Sequence, residues 1–436
     1  MSTAPTAVLR VAIGFVSISC ASLLYAGSAP SSGGRELAQF MPKTWKADKF
    51  VKTIWVSPAG NGDGTSRSSA LRSIQAAISK TEPGTLILVT AGTYDENLTI
   101  SRDAEAANGS DEHPIFLVSA DGCGAALVRS GQNLTTLDAN RIQNWAVIGF
   151  QFVAASSLTD GDQSPFKVGS SGLLNGEPCR NWLVAGNTFS GTGHDGSKAY
   201  NARNISWLGN HYEGAWGQEA CDNVAVGVTD VSGDSNRFAY NTVGGGSGYS
   251  AITVKYGSNH FDISHNDFKI NPGNRLPRRG AMIRVGGNGE LQRFASRIPY
   301  KTEAAFDPLT ASYVLVSYNR FSGLCGINVE LYGSRDSVVS FNDLTNPQAT
   351  IELTARTADL GKDAEGMPYL WEPVNIRVTD NKITSAEENK INGELGGKGF
   401  LVKGNRADIP FDTPVGADAI RSEIDALIKA LVANAH

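Results

Sequence analysis

The chain has 436 residues, of which 48 are glycine and 19% are charged, and its formal net charge is −5. Abundant glycine with few charged residues is typical of β architectures with many tight turns, and it argues against a helical bundle or a disordered chain. The acidic balance and the lack of any Lys/Arg run argue against nucleic acid as a partner.

Residues 1–29 have the pattern of a secretory signal peptide. A short apolar stretch follows Arg10, and small residues near Ala26 and Ala29 offer cleavage sites. The stretch is short for a membrane span, although an uncleaved membrane anchor is the alternative. We therefore expect a secreted protein, extracellular or periplasmic. It would have no membrane association after signal cleavage and would begin with a linker at 30–52.

A short helix is predicted at 69–78, where apolar residues recur at helical spacing and a Ser is available as a cap. Strands are predicted on both sides of it, at 54–57 and 86–90. If the chain forms a solenoid, as the repeat described next predicts, its first coil exposes a sheet edge. We therefore expect this helix to act as an N-terminal cap.

A short motif recurs through the rest of the chain: two or three alternating apolar residues, then Asn, a variable residue, and an apolar or aromatic one. Several copies are about 23–25 residues apart, which is the length of one repeat in a solenoid protein. The longer steps equal two units or one unit with an insertion. The central asparagines are Asn187, Asn210, Asn241, Asn266, Asn319, Asn342, Asn381 and Asn405.

A unit of this length, built from short period-2 strands, predicts one coil of an all-β, right-handed parallel β-helix over residues 53–412. Coils stack at about 4.8 Å, so equivalent residues form columns. Asn suits the bends because it tolerates left-handed backbone angles and can bond to its equivalent in the next coil. The aromatic residues after it, such as Phe189, Phe268 and Phe321, should point inward.

Residues 413–436 predict a C-terminal amphipathic helix, with Ile420, Ile424, Leu427, Ile428 and Leu431 along one face. Its polar face carries both acidic and basic residues, which does not favour a membrane surface. We expect this helix to cap the last coil.

Cysteine usage is compatible with export. The mature chain would keep Cys123, Cys179, Cys221 and Cys325, and some of them could pair as disulfides. No Cys/His cluster has the spacing of a zinc site, so we expect no structural metal.

Four segments at the start of the predicted β-helix, residues 55–62, 74–78, 83–85 and 91–94, together resemble the opening of many secreted pectate-lyase-like proteins. This resemblance implies the parallel β-helix fold and does not specify an activity.

Residues 251–259 and 280–288 are similar to the core of the alginate lyase and chondroitinase B family of polysaccharide lyases. In that family a Lys near a strand end and an Arg one coil later form the catalytic pair, and Lys255 and Arg284 occupy those positions. The resemblance implies β-elimination on an anionic, uronate-containing polysaccharide. The ends of the two segments, if aligned, would place Lys255 directly beside Arg284.

The resemblance also implies roles for these residues. A uronate lyase must neutralise the sugar carboxylate, remove the neighbouring proton and protonate the departing oxygen. Lys255 would be the base, Arg284 the neutralising cation and Tyr256 a proton donor. Arg278 and Arg279 would add positive charge for substrate binding.

Acidic residues that hold calcium in that family are replaced here by Gly248 and Ser250. We therefore expect no cofactor, with calcium held by Asp230 and Asp234 as the alternative.

Residues Glu330, Tyr332 and Arg335 lie one or two coils beyond Arg284 and are predicted to line the same groove for substrate. The His194-Asp195 pair, by contrast, is interpreted as part of a turn. We expect the protein to act as a monomer.

Two other functions remain open. Carboxylates such as Asp222, Asp230, Asp234 and Glu330 could serve a β-helix glycoside hydrolase. The fold could also serve as the scaffold of a non-catalytic glycan-binding protein or adhesin.

Overall fold

The structure is a computed structural model. It describes residues 36–46, 49–155, 163–169, 178–200, 202–216, 236–247, 250–254, 258, 260–269, 281–286, 311–322, 327–346, 352–356, 358–362, 368–385, 390–393 and 399–435. The predicted signal peptide lies outside these ranges.

The two largest sheets of the described chain are parallel and have twelve strands each. In the first sheet all twelve strands lie side by side in chain order. The strands of the first sheet are β1 (Lys52–Val56), β2 (Thr85–Val89), β5 (Ile115–Ser119), β8 (Gln143–Ile148), β11 (Cys179–Ala185), β14 (Ala202–Leu208), β17 (Asn236–Ala239), β21 (Phe261–Ser264), β24 (Leu315–Ser317), β27 (Val338–Ser340), β32 (Arg377–Thr379) and β35 (Leu401–Lys403).

The second sheet receives the next strand of each coil. Its strands are β3 (Gly92–Asp95), β6 (Ala126–Arg129), β9 (Phe150–Ala155), β12 (Thr188–Gly193), β15 (His211–Tyr212), β16 (Ala215–Trp216), β18 (Thr242–Val243), β19 (Gly246–Ser247), β22 (Asp267–Lys269), β25 (Arg320–Ser322), β28 (Asp343–Asn346) and β33 (Lys382–Ser385).

The third face of each coil falls into two shorter parallel sheets. One contains β4 (Leu98–Ser101), β7 (Leu137–Asn140), β10 (Phe166–Gly169) and β13 (Lys198–Tyr200), and the other contains β20 (Ile252–Val254), β23 (Ala281–Gly286), β26 (Ile327–Tyr332), β29 (Glu352–Arg356) and β34 (Lys390–Gly393). An antiparallel hairpin, β30 (Ala358–Lys362) and β31 (Pro368–Trp371), stands apart from the coils.

The chain visits the first, second and third faces in turn and then returns to the first, one strand further along the stack. This connectivity is that of the predicted right-handed parallel β-helix, which is confirmed. The predicted asparagine column is confirmed as well. Asn210, for example, accepts hydrogen bonds on Oδ1 from the backbone N–H and Nδ2 of Asn187, at 2.9 and 3.2 Å. Its own Nδ2 donates to the Val184 carbonyl and to Asn241 Oδ1.

The left-handed residue at each of these bends is not the Asn, as the sequence suggested, but the residue before it. These residues have φ values near +60°, and four of them are aromatic rings stacked from coil to coil. They are Gly186, Gly209, Tyr240, His265, Tyr318, Phe341, Asp380 and Gly404. The Asn can therefore keep an ordinary backbone conformation and use its whole amide for bonds between coils.

The interior of the coils is filled by apolar side chains, which include Phe189, Phe268 and Phe321 as predicted. Fully buried indoles and phenyl rings stack along the axis, for example Trp145 on Trp182 at 6.2 Å between ring centroids. Stacked aromatic columns of this kind add to the stability provided by burial alone.

The predicted N-terminal helix is present as α2 (Ile74–Ile78), where Ser73 Oγ accepts from the Ala76 backbone N–H. Its buried side chains, which include Ile74 and Ile78, belong to the same core as the coils. A second short helix, α1 (Glu36–Phe40), precedes the first coil. Single 3-10 turns span Arg102–Ala104 and Ala417–Ala419.

The predicted C-terminal helix is α3 (Arg421–Ala433), but its expected place on the last coil is wrong. Its buried residues pack on the outer surface of the first sheet, in a cluster shared with α1. Ile420, Ile424 and Ile428 lie against the glycines of three successive coils, Gly209, Gly186 and Gly149. The helix therefore runs back along the solenoid axis.

The strand sequences explain this position. In the early coils the outward side chains of the first sheet are apolar, for example Leu88, Val118 and Ile148, so the sheet needs a cover on its outer face. Beyond Ala239 the same column becomes Ser264, Ser317 and Ser340, which need none. A four-residue step along a helix advances about 6 Å, close enough to the coil spacing for successive turns to meet successive coils.

Candidate functional site

The third face carries the residues that the sequence singled out. Ile283 and Val285 of β23 point into the coil core, so Arg284 between them points outward. Thr253 on the preceding strand and Glu330 on the following one are its Cα partners. All three are nonetheless buried, with 3%, 7% and 4% of their surface exposed for Thr253, Arg284 and Glu330.

Arg284 and Glu330 form a buried ion pair. Arg284 donates to Glu330 Oε2 from Nε at 2.7 Å, and its Nη2 lies 2.7 Å from the same oxygen. The structure thus brings together two of the predicted site residues on adjacent coils. A buried pair of this kind requires both partners, because either charge alone would be costly to desolvate.

The expected placement of Lys255 directly beside Arg284 is not observed. The Cα partner of Arg284 is Thr253, and Val254 pairs with Val285, a register two residues away from the expected one. A shift of two residues keeps every side chain on its own face of the strand, so the alternation of apolar and polar residues cannot detect it. Arg284 itself is buried and faces the carboxylate of Glu330.

Four predicted site residues, Lys255, Tyr256, Arg278 and Arg279, lie outside the described residues, and their roles stay predictions.

Tyr332 follows Glu330 by two residues on the same strand, so it shares the outward face and is half-buried. Its Cα partner is Gly286, which has φ +107°, and a Cβ at that position would overlap the Tyr332 carbonyl oxygen. Glycine is therefore needed where these two strands meet.

Arg335 lies at the bend that leads back to the first sheet, where it bridges Ser312 and Val374. It is therefore separated from the column of Arg284 and Glu330 along the coil.

A second polar group on the third face was not predicted. Lys167 and Lys198 are Cα partners on β10 and β13, and Asp138 is the partner of Lys167 on the other side. Lys198 Nζ lies 3.7 Å from Asp195 Oδ2, which is also 3.1 Å from His194 Nδ1. The sequence contained a signal, the adjacent His and Asp, but nothing in it showed that the two lysines would be in register with each other.

Asp195 itself is almost fully buried, with 1% of its surface exposed. Its Oδ1 has no hydrogen-bond partner in the described part of the chain. Next to this group, the Ser197 hydroxyl lies 3.1 Å from the Tyr212 hydroxyl. Burial raises the pKa of Tyr212, which keeps that phenol protonated.

No cluster of three or more His, Cys, Asp or Glu side chains suited to a metal occurs within the described ranges. Asp230, Asp234 and Gly248 lie outside those ranges. Ser250 is buried, and its hydroxyl is 2.9 Å from that of Thr253.

Cys123 and Cys179 are free thiols, so neither forms a disulfide. Burial is the main cause that raises the pKa of Cys123 to about 12 and that of Cys179 to about 11. Cys221 and Cys325, the other two candidates for pairing, lie outside the described residues.

None of the helices in the described ranges combines the length and the apolar character needed to cross a membrane.

The molecule is thus a parallel β-helix protein with polar and charged side chains along its third face. No family model matches the chain, and no curated protein matches it in sequence. Among solved structures, the A-module of the mannuronan C-5 epimerase AlgE4 from Azotobacter vinelandii is similar at a TM-score of 0.47 and 15% identity. That match covers 80% of this chain and 95% of the epimerase module.

Two further solved structures show the same kind of likeness. A mannuronic acid-specific polysaccharide family 6 lyase from human gut microbiota has a TM-score of 0.41 and 11% identity, over 86% of this chain and 99% of that one. The family 28 exopolygalacturonase of Yersinia enterocolitica has a TM-score of 0.39 and 13% identity, over 81% and 78%. At these identities the likeness is one of fold and does not extend to the site.

Proposed function

We propose that this protein is a secreted polysaccharide lyase, which binds a uronate-containing polymer along the third face and cleaves it by β-elimination. The observation that carries the proposal is the in-register pair Lys167 and Lys198 on that face. Two ammonium groups on adjacent strands repel each other, at a spacing of about 4.8 Å between strands. Lys198 also lies 3.7 Å from Asp195 Oδ2, and a carboxylate of the polymer lying across the two lysines would add a second negative partner.

The other two faces are less suited to a long ligand. The first sheet is covered in its early coils by α1 and α3. The second sheet is approached by the chain that leads to α3, since Ala417 N–H bonds to Thr242 and the Phe411 ring lies below Arg320. In the described part of the chain, the hydrogen bonds that the two terminal segments make to the coils go to the first and second sheets and to their bends.

The described parts of the third face lie on both sides of residues 217–235, which are outside the described ranges, and they are far enough apart for a long ligand. From β13 to β23 the stack advances three coils, about 14 Å, so a polymer parallel to the axis would reach from Lys198 to the Arg284–Glu330 pair. Elimination requires a cation at the carboxylate and a group that moves a proton from carbon to the departing oxygen. The resemblance to the lyase family implies that Lys255 and Tyr256 transfer the proton, and Lys255→Ala tests that role.

The experiment is a panel of polymers given to the full-length protein: alginate, polygalacturonate, chondroitin and hyaluronan. Lyase action produces unsaturated sugars, detected by their ultraviolet absorbance together with new reducing ends. New reducing ends without that absorbance would indicate the glycoside hydrolase, and retention without cleavage would indicate a glycan-binding protein or adhesin. Either result would reject the lyase.

Matched variants connect the result to the third face. Lys167→Met and Lys198→Met should each weaken binding of the cleaved polymer, because each removes one of the two stacked cations. Lys46→Met is the control. Lys46 belongs to the N-terminal segment and forms an exposed ion pair with Glu112, so the variant removes a lysine away from the third face. Equal binding by all three variants would place the substrate elsewhere.

A further inference from the structure

The corner between the second and third faces, where β12 leads into β13, holds a group with the parts of an acid–base centre. Asp195 is buried, and its Oδ2 lies 3.1 Å from His194 Nδ1. About 30% of the His194 side chain is exposed to solvent. A carboxylate on one ring nitrogen favours the proton on that nitrogen and leaves the lone pair on the other, Nε2. This is the form in which an imidazole accepts a proton.

The same corner holds polar atoms that the described chain leaves without partners. Asp195 Oδ1, Gln163 Oε1 and Ser164 Oγ are all buried and lack a hydrogen bond within the described residues. Gln163 belongs to this corner because its carbonyl accepts from the His194 backbone N–H at 2.9 Å. Unsatisfied buried oxygens cost about 1–3 kcal/mol each and require an explanation.

Cations are adjacent to these acceptors. Lys198 is close enough to Asp195 to hold it by an ion pair, with 3.7 Å between Nζ and Oδ2, and Lys167 is its neighbour in register. The corner therefore combines positive charge for a carboxylate with an imidazole held by a buried acid. These two features together fit a uronate sugar better than a neutral one.

We propose that His194 is the catalytic acid–base residue of the elimination, that Asp195 positions it, and that Lys198 with Lys167 holds the substrate carboxylate. This inference rests on the proposed function. Neutral Nε2 of His194 takes the proton from the carbon next to the carboxylate, and the C–H electron pair becomes a carbon–carbon double bond. The bond to the glycosidic oxygen breaks, and His194 returns the proton to that oxygen.

The balance is complete without another reactant. The proton lost by the carbon is the proton gained by the departing oxygen, and the imidazole ends neutral. One residue can serve both steps when the proton and the departing oxygen lie on the same side of the sugar ring. The buried Arg284–Glu330 pair, already neutralised internally, is then a structural element of the groove about three coils away.

The test compares single variants on a polymer that the wild-type protein cleaves. His194→Gln should lower turnover by about 10²–10⁴-fold, the usual effect of removing a general base. His211→Gln is the matched control. His211 is another half-buried histidine, it lies on the second face, and its Nε2 is 3.9 Å from Asp418 Oδ1. The His211→Gln variant should retain wild-type turnover. Wild-type turnover by His194→Gln together with a loss in Lys255→Ala would overturn the proposal and place the base at Lys255.

Asp195→Asn tests the positioning role, because an amide can donate to Nδ1 and fix the other tautomer. We expect kcat to fall on the order of 10²-fold or more with KM little changed. In protein with ¹⁵N-labelled histidine, the wild-type His194 should carry its proton on Nδ1, whereas Asp195→Asn should lose that signature. A variant with normal kcat and an unchanged tautomer would contradict the role of Asp195.

A binding measurement keeps this inference separate from the proposed function. If the wild-type protein cleaves no polymer of the panel, the lyase is rejected, and the labelled His194 signal still reports on the corner. Addition of oligouronates, prepared from alginate or polygalacturonate, should shift that signal, and Lys198→Met should weaken the shift. A signal that no oligouronate moves would reject the corner as a uronate site, whatever the activity.

Discussion

Asn266 donates two hydrogen bonds to the same atom of the next coil, Asn319 Oδ1, from its backbone N–H and from Nδ2, each at 2.9 Å. Its second amide hydrogen bonds to the Phe238 carbonyl of the previous coil at 2.7 Å. Oδ1 of Asn266 in turn accepts from Asn241. The side chain therefore bridges three coils with every polar atom satisfied, in a fully buried position.

Replacement of Asn266 by alanine should be severely destabilising. It removes the bonds of the side-chain amide, while the bond from the backbone N–H to Asn319 Oδ1 stays, and it leaves the Asn241 backbone N–H and the Phe238 carbonyl buried without the partners that Asn266 supplied. At about 1–3 kcal/mol for each of these two unsatisfied groups, we expect the free energy of unfolding to fall by roughly 2–6 kcal/mol. Thermal and denaturant unfolding provide the measurement.

Asn405 is the internal comparison, because it ends the ladder and is only part-buried. Asn405→Ala should cost clearly less than Asn266→Ala. Equal effects at the two positions would contradict the view that burial within the ladder determines the cost.

The spacing of these asparagines was sufficient to predict the solenoid, because a column requires the same residue at the same place in every coil. The strand register of the third face was not predictable in the same way. The pairing of Arg284 with Thr253 and the alternative with Lys255 both satisfy the two-residue period of a strand. Only the insertions between coils decide between them, and their lengths vary.

The His194–Asp195 pair illustrates a second limit. Adjacent in sequence, the two residues were consistent with a turn, and a turn is where they occur. The features that suggest chemistry there are the burial of the carboxylate and the approach of Lys198, and both depend on contacts between coils. The position of α3 was likewise not predictable. Its only signal in the sequence is that the outer faces of the early strands are apolar, and that pattern also fits strands that are buried on both sides in other folds.

The contact between α3 and the coils can be tested at Gly209. This residue has φ +61°, and a Cβ there would lie 2.7 Å from Ile420 Cγ2 and 2.8 Å from Ile424 Cδ1. Gly209→Ala should therefore carry a backbone cost of about 1–2 kcal/mol and an added cost of about 1–3 kcal/mol from overpacking. Unfolding by denaturant measures the sum.

Gly124→Ala separates the two terms. Gly124 also has a positive φ, +82°, but a Cβ there would meet no atom within 4 Å. We expect only the backbone cost at this position. If Gly209→Ala proved no more destabilising than Gly124→Ala, α3 would not lie against that coil.

Stability should depend on pH through His265. Its ring stacks between Tyr240 and Tyr318, and burial lowers its pKa to about 4. In the unfolded chain the pKa is about 6.5, so between these values the unfolded state binds more protons. The stabilisation is therefore complete above pH 6.5 and is lost as the pH falls toward 4, by about 3 kcal/mol.

His265→Phe should remove this part of the acid sensitivity and preserve the stack, since Phe341 occupies the equivalent position two coils further on. Unfolding curves of the variant and the wild type between pH 7 and 4 make the comparison. His260→Phe controls for the loss of a stacked but exposed histidine. An identical fall in stability for wild type and His265→Phe would show that other groups cause the acid sensitivity.

The Arg284–Glu330 pair can be assigned to structure or to catalysis by a double-mutant cycle. Arg284→Met and Glu330→Met should each lower the free energy of unfolding by about 3–5 kcal/mol, because each leaves one charge buried without its partner. The double variant replaces the pair by apolar side chains of similar size and should regain much of the loss. If the pair is structural, a folded double variant should also retain cleavage of the polymer. A double variant that is as stable as the wild type but inactive would instead place Arg284 or Glu330 in the catalytic centre, as the resemblance to the lyases implied.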